Sequence, residues 1–177
     1  WYYLSDNPSL TPAIIRRYSE RWQWTRLSQN PSLTPEIIIQ YEERWHWPSL
    51  SANLALTAGL IRRYQHRLSW NILSRSPSFP LSLLFRMRDR VDWSSISRYC
   101  RTLTLEYLER FQDKWDYELL SSNRACPFSF VLQQRRRGWR WDKLSRYMAL
   151  SWRDVVDHAE LPWDREELLC NRSLGGR

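Results

Sequence analysis

The chain has 177 residues, 42% of them hydrophobic, and a formal net charge of +8, a balance that excludes a disordered tail. No apolar run approaches the roughly 20 residues that a membrane-spanning helix needs. Cys100, Cys126 and Cys170 form no C-x-x-C pair, so neither a disulfide framework nor a zinc site is indicated. The expected setting is intracellular and reducing, or the inside of a viral or organellar assembly.

A Trp-x-Trp phrase recurs along the chain. It places Trp1, Trp24, Trp47, Trp70, Trp93, Tyr117, Trp141 and Trp163 in one column, with steps of 23, 23, 23, 23, 24, 24 and 22 residues. A second column holds Leu4, Leu27, Leu50, Leu73, Ile96, Leu120 and Leu144. A third holds Ser5, Ser28, Ser51, Ser74, Ser97, Ser121 and Ser145. A regular step of this size marks a repeat array in which each repeat contacts its neighbours. The fold expected is all-α: a curved solenoid of about seven short repeats, each one α-helix plus one short 3₁₀-like turn. Because Trp1 falls into the Trp24 column, the chain is expected to begin inside a repeat of a longer array.

In the first repeat Thr11 is a good N-cap, Pro12 suits the first helical position, and Ile14, Ile15, Tyr18 and Trp22 fall at helical spacing. The second repeat has the same order in Thr34, Pro35, Glu36, Ile37, Ile38, Tyr41 and Trp45. The third offers Thr57, Leu60, Ile61, Tyr64 and Leu68, the fourth Leu83, Leu84, Met87 and Val91, and the fifth Thr104, Tyr107, Leu108, Phe111 and Trp115. Helices of about ten residues, roughly 15 Å long, are predicted. Each is followed by a W-x-x-L-S turn, with Trp and Leu three apart. Asn7, Asn30, Asn53 and Asn123 follow the Ser by two. Asn tolerates left-handed backbone and bonds its own main chain, and the Ser hydroxyl can satisfy a carbonyl at the end of the turn. Both are read as a structural ladder holding the repeats in register, and the Trp columns as its hydrophobic spine.

Later repeats drift. Arg135 replaces the core aromatic of the sixth helix, Gly138 is expected to end it, and the seventh runs through Trp152, Val155, Val156 and Ala159. The domain reading is a helical repeat array over 1–160, then a C-terminal cap and tail over 161–177 that is acidic at Asp164, Glu166 and Glu167 and frayed from Gly175 to Arg177.

The W-x-W-x-x-L-S-x-N-P-x-L-T-P-x-I-I-x-x-Y phrase, spelled out from Trp22 to Tyr41, resembles the short Trp- and Leu-rich repeats of uncharacterised bacterial and large-DNA-virus proteins. The resemblance covers residues 1 to about 160 and implies no activity. In alternating one α-helix with one short turn the chain is also similar to leucine-rich variant repeats, which implies a curved all-helical solenoid. The Trp columns depart from that pattern.

Catalysis is not expected. His46, His66 and His158 occupy unrelated positions, and there is no H-E-x-x-H, G-x-S-x-G or Gly-rich phosphate loop. No cofactor or metal is expected. Of 27 basic residues only Lys114 and Lys143 are lysines. The arginine excess fits either codon bias or bidentate recognition of phosphate and carboxylate. Residues 1–90 hold 12 Arg against 6 acids, and residues 91–177 hold 15 basic against 13 acidic. Arg17, Arg63, Arg86 and Arg110 occupy equivalent helix positions. Four residues on come Arg21, Arg44, Arg67, Arg90 and Lys114, making a basic ladder one turn wide.

This ladder is the candidate partner site. It suits an acidic protein surface or a nucleic-acid backbone, or it serves only the helix ends, where cations are favourable. Glu20, Glu43, Asp89 and Asp113 recur three residues after the first row and are expected to neutralise part of it from the same helix, and Trp rings offer cation–π faces. A second patch, Arg135 to Arg137 and Arg140 beside Trp139 and Trp141, fits single-strand stacking or capping. The function expected is a non-catalytic repeat scaffold that mediates protein–protein interaction or forms part of a larger assembly, such as a capsid or multiprotein complex. The alternative is a nucleic-acid-binding module using the arginine ladder.

Overall fold

A computed structural model describes residues 1–77 and 79–175. Every regular element among them is helical, with fourteen α-helices and two 3₁₀ turns in series. The chain forms two compact units: Trp1–Leu73 with Ser82–Val91, and Ser74–Leu81 with Asp92–Arg177.

In the first unit the helices Pro12–Arg17, Pro35–Gln40 and Ala58–Arg63 each open on a threonine whose side chain accepts from a main-chain N–H three residues on: Thr11 from Ile14, Thr34 from Ile37 and Thr57 from Leu60. Pro12 and Pro35 stand at the first helical position, as the sequence predicts. The helices are six residues long, not about ten. In the first two the end is held by the first tryptophan of the Trp-x-Trp phrase, whereas Ala58–Arg63 ends at the equivalent place with Leu68 in that position. The Trp22 indole N–H donates to the Ile15 carbonyl at 2.9 Å, and Trp45 does the same to Ile38. A continuing helix would need those carbonyls for the main chain four residues on. Tyr18 and Tyr41 therefore leave helical geometry (φ −118°) and a turn follows.

The short elements after these turns are α-helical rather than 3₁₀: Trp24–Leu27, Trp47–Leu50 and Trp70–Leu73. Among the described residues, only the initial Leu4–Asp6 is a 3₁₀ turn in this role. Their leucines are the core, with Leu27 and Leu50 fully buried beside Ile15, Ile37, Ile38 and Ile61. A column that the sequence reading did not single out, Leu10, Leu33 and Leu56, is buried as well.

The serine column binds successive repeats together. The Ser28 hydroxyl donates to the Trp24 carbonyl (2.7 Å) and accepts from the His46 N–H (3.1 Å). Ser5 and Ser51 make the same pair of bonds, to Trp1 and Trp47 and from Gln23 and Ser69. The asparagines add a second rail. The Asn30 side-chain amide donates to the Ser5 and Asn7 carbonyls, and that of Asn53 to the Ser28 and Asn30 carbonyls, all at 2.8–3.0 Å. Each Asn oxygen accepts from the N–H two residues on. The register role is as expected, but the left-handed backbone is not. No described residue has positive φ, and Asn7 is extended (φ −67°, ψ 118°).

The second unit uses the same parts. Ser74, Ser97, Ser121 and Ser145 accept from the N–H groups of Asp92, Asp116, Arg140 and Asp164. Asn123 spans to Ser97 and Cys100, and Asn171 to Ser145 and Met148. Two of the short elements lengthen to seven residues, Trp93–Tyr99 and Trp141–Tyr147. The Phe128–Gln133 helix ends at Gln133, and Gly138 stands beyond the turn that follows. Trp152–Asp157 buries none of its residues, although Ser151 and Asp154 close a capping box. The ladder runs on past residue 160 through Asp164 and Asn171, so the segment expected as a cap is joined to the array by the same bonds as any repeat. Of the expected frayed tail, Gly176 and Arg177 lie outside the described residues.

Candidate functional site

The Trp column expected to form the buried spine is only half buried at Trp24, Trp47, Trp70 and Trp93, and Trp1 is exposed. The deeply buried rings are the first members of the phrases, Trp22, Trp45, Trp115 and Trp139. The column tryptophans Trp24 and Trp93 do not stack face to face either, although Tyr117 lies parallel to Phe130 (6.2 Å, 12°). Trp24 meets Trp45 edge-on (4.9 Å, 72°) and Tyr41 at a tilt (5.2 Å). Trp93 treats Trp115 and Phe111 in the same way. A ring only 7% exposed, as Trp139 is, has no face left for a base. This disposes of the stacking role considered for Trp139, whose N–H donates to the Gln134 carbonyl. Trp141 packs edge-on against Trp163.

The half-buried ring leaves one outward face, and the basic ladder covers it. Arg44 lies over Trp24 at 5.7 Å and grips Glu20 with both terminal nitrogens (2.8 and 3.1 Å). Arg67 lies over Trp47 at 5.5 Å and bonds Glu43 at 2.8 Å and the Glu42 carbonyl at 3.1 Å. Arg21 lies over Trp1 at 5.7 Å. In the second unit Arg137 completes the pattern over Tyr117 (5.4 Å) with Asp113 (2.8 Å). Glu20, Glu43 and Asp113 thus neutralise the arginine of the following repeat, not one on their own helix as the sequence suggested, while Asp89 lies 3.9 Å from the adjacent Arg88. The cation sits 20 residues after its ring and 24 after its acid, one repeat step away.

The other ladder row is engaged locally. Arg17 lies over Tyr18 (5.5 Å) and Arg63 over Tyr64 (5.3 Å), with Glu42 3.4 Å from Arg63. The Tyr64 hydroxyl donates to Glu42 at 2.5 Å. That bond, followed by the Arg63 charge, holds the Glu42 carboxyl below the ordinary carboxylate range. Burial, reinforced by Glu42, pushes the Tyr64 hydroxyl up. Arg86 and Arg90 are exposed in the first unit, and Arg110 and Lys114 in the second. In the second basic patch Arg135 pairs with Glu160 (3.5 Å) and Arg140 with Asp142 (3.0 Å).

A different basic surface was missed in the sequence. Within the second unit a cleft of about 710 Å³ is lined by Arg98, Arg101, Arg124, Arg146 and Arg172, and no acid stands in its wall among the described residues. Its loops are placed by the asparagine rail. Arg124 directly follows Asn123, Arg172 follows Asn171, and Arg101 follows Cys100, whose carbonyl Asn123 holds at 2.8 Å. Arg101 is also fixed by its N–H to the Pro77 carbonyl (2.9 Å). Arg98 lies over Tyr99 (5.7 Å) and Arg146 over Tyr147 (5.6 Å), with Glu167 2.9 Å from Arg146. Two signals could have revealed the cleft: the Ser-Arg-Tyr phrase at 97–99 and again at 145–147, and Arg after the column Asn at 124 and 172, where the first repeats have Pro8, Pro31 and Leu54.

The three cysteines are free. Cys126 takes a place in the buried Leu10 column, and burial pushes its thiol up to about 12. Cys170 is exposed on the cleft. No group of three or more metal-ligating side chains occurs among the described residues, and no helix there is long and apolar enough to cross a membrane. Compared with models of known families, with curated proteins and with solved structures, the chain matches none.

Proposed function

We propose that the chain is a non-catalytic repeat scaffold, a structural or adaptor element that presents an extended surface to protein partners in a larger assembly, in an intracellular reducing setting. One observation carries this reading: the polar side chains that recur from repeat to repeat are engaged in holding the array. The column serines and asparagines bond the main chain of neighbouring repeats, and no buried side-chain N or O among the described residues lacks a partner. What varies between repeats is the outer surface, and variable surface on a fixed frame is how repeat proteins recognise partners.

The competing reading, nucleic acid on the arginine ladder, is weakened where Glu20, Glu42 and Glu43 hold Arg44, Arg63 and Arg67, since a phosphate would have to displace a carboxylate. Exposed apolar side chains on the same helices, Ile14, Ile39 and Phe85, favour a protein surface there. A photo-reactive phenylalanine analogue at Ile39 or Phe85, activated in the cells that make the protein, should capture a stoichiometric protein partner. A chain that sediments as a free monomer and yields no cross-link from either position contradicts the scaffold reading.

A further inference from the structure

The arginine-lined cleft of the second unit has properties that the scaffold reading does not require. Its wall brings five arginines together without a carboxylate among the described residues, although the chain from residue 91 onward carries nearly as many acids as bases. Holding like charges together in this way is unfavourable unless a counter-charge arrives, and the nearest acid bonded to any of them, Glu167, engages Arg146 alone. The arginines are also anchored from behind. Their loops are pinned by main-chain bonds through Asn123, Asn171 and Pro77, so little ordering is left for a ligand to impose. A smaller cavity of about 230 Å³ shares Arg124, Tyr147 and Arg172 with the cleft and extends it. Together they exceed what a single inorganic anion fills, and the larger lies within the roughly 300–1,000 Å³ usual for organic ligands.

We propose that this cleft binds single-stranded nucleic acid, with Arg98, Arg101, Arg124 and Arg172 on phosphates and the rings of Tyr99 and Tyr147 against bases. The guanidinium fork matches two phosphate oxygens at once, which an all-arginine wall exploits and a lysine wall would not. The two tyrosines distinguish this ligand from an acidic peptide. Tyr99 is 43% exposed and Tyr147 is half buried. Each pairs with an arginine in an identical Ser-Arg-Tyr phrase, so a planar ring and a cation recur together two repeats apart. Flat rings interleaved with cations form the usual platform for stacked, unpaired bases. The ladder on the helix face differs in its charge: Arg44 and Arg67 are already bonded to Glu20 and Glu43, whereas no carboxylate is bonded to Arg98 among the described contacts.

The test uses the full chain and a fluorescein-labelled oligothymidylate, followed by anisotropy across a salt series. The triple variant Arg101→Gln, Arg124→Gln and Arg172→Gln should bind at least about tenfold more weakly. Its log–log salt slope should fall by about 2, from roughly 0.7 per single-strand phosphate released. Tyr99→Leu should weaken binding by about tenfold with the slope unchanged, because it removes stacking and no charge. On the unaltered protein the oligonucleotide should slow alkylation of Cys170, which lines the cleft, a readout independent of any variant's folding. Arg17→Gln with Arg63→Gln and Arg86→Gln should leave binding as it was. The proposal is overturned if the cleft triple variant keeps both affinity and slope, or if Cys170 reacts at the same rate with the oligonucleotide bound. It is equally overturned if polyglutamate displaces the oligonucleotide at equal charge concentration, which would make the ligand an acidic protein segment.

Discussion

The two units hold themselves together with the same serine and asparagine bonds and use their arginines differently. In the first, Arg44 and Arg67 are clamped between a ring and an acid of the preceding repeat, and the position after the column Asn is Pro or Leu. In the second, one such clamp recurs at Arg137, while Arg101, Arg124 and Arg172 open onto a cleft without acids among the described residues. Fold and surface chemistry are therefore separable in this repeat. Serine, asparagine and the buried ring fix the frame, and the residues next to them are free to change.

If the frame is common to both units, the largest effects should be equal in each. Trp45→Ala in the first unit and Trp115→Ala in the second remove a ring about 5% exposed together with its helix-end bond, and each should cost about 3–5 kcal/mol in denaturant unfolding. Trp47→Ala, at a half-buried ring, should cost less, roughly 1–2 kcal/mol scaled from the same deletions. Equal costs at Trp45 and Trp47 would contradict the division into inner and outer rings.

The asparagine rail comes next. Asn53→Ala and Asn123→Ala each leave two buried carbonyls without their donor, a loss of about 1–3 kcal/mol. Here the units should diverge in a second measurement. Asn123→Ala should also weaken oligonucleotide binding, because it frees the loops that carry Arg101 and Arg124, whereas Asn53→Ala should not.

Acid and alkali should separate the units further, through the Glu42–Tyr64 bond of the first. Glu42 titrates below its ordinary value when folded, so its contribution is present above the usual carboxylate range and is lost as pH falls through the depressed value. Tyr64 titrates above its ordinary value of 10, so its contribution is present below that value and is lost as pH rises through the raised one. Melting curves against pH should show both losses in the parent chain, and Glu42→Gln should flatten the acid limb. An unaltered acid limb would mean that the bond carries no stability.

Smallest is the ion pair itself. A double-mutant cycle on Glu20 and Arg44 should give about 0.2–1 kcal/mol, falling with added salt, since both side chains are solvent-exposed.

Much of the frame was legible in the sequence because it rests on local rules. Threonine before Pro12 and Pro35 announced the helix starts, and a serine at every step announced a ladder. The buried member of each Trp-x-Trp phrase was not legible. Trp22 and Trp24 are equally apolar, and the difference lies in which ring the chain turns inward, where the Trp22 indole reaches the Ile15 carbonyl seven residues back. Helix length was overestimated for the same reason, since periodicity through Trp22 continues although the helix has ended at Arg17. The arginine ladder could be drawn from spacing, but its partners could not, because the acid that matters stands one repeat away and not on the same helix. The cleft escaped because its arginines sit in turns, where spacing along a helix gives no warning.

The central claim is that side chains of one repeat bond the main chain of the next, and amide hydrogen exchange tests it most directly. The N–H groups of Gln23, His46, Ser69, Asp92, Asp116, Arg140 and Asp164 precede helices or stand in turns, where amides ordinarily exchange fast, yet each donates to a column serine 18 or 19 residues earlier. These seven should be among the slowly exchanging amides, and Ser28→Ala should release His46 selectively. Exchange of the seven at the rate of neighbouring exposed turn amides would contradict the account.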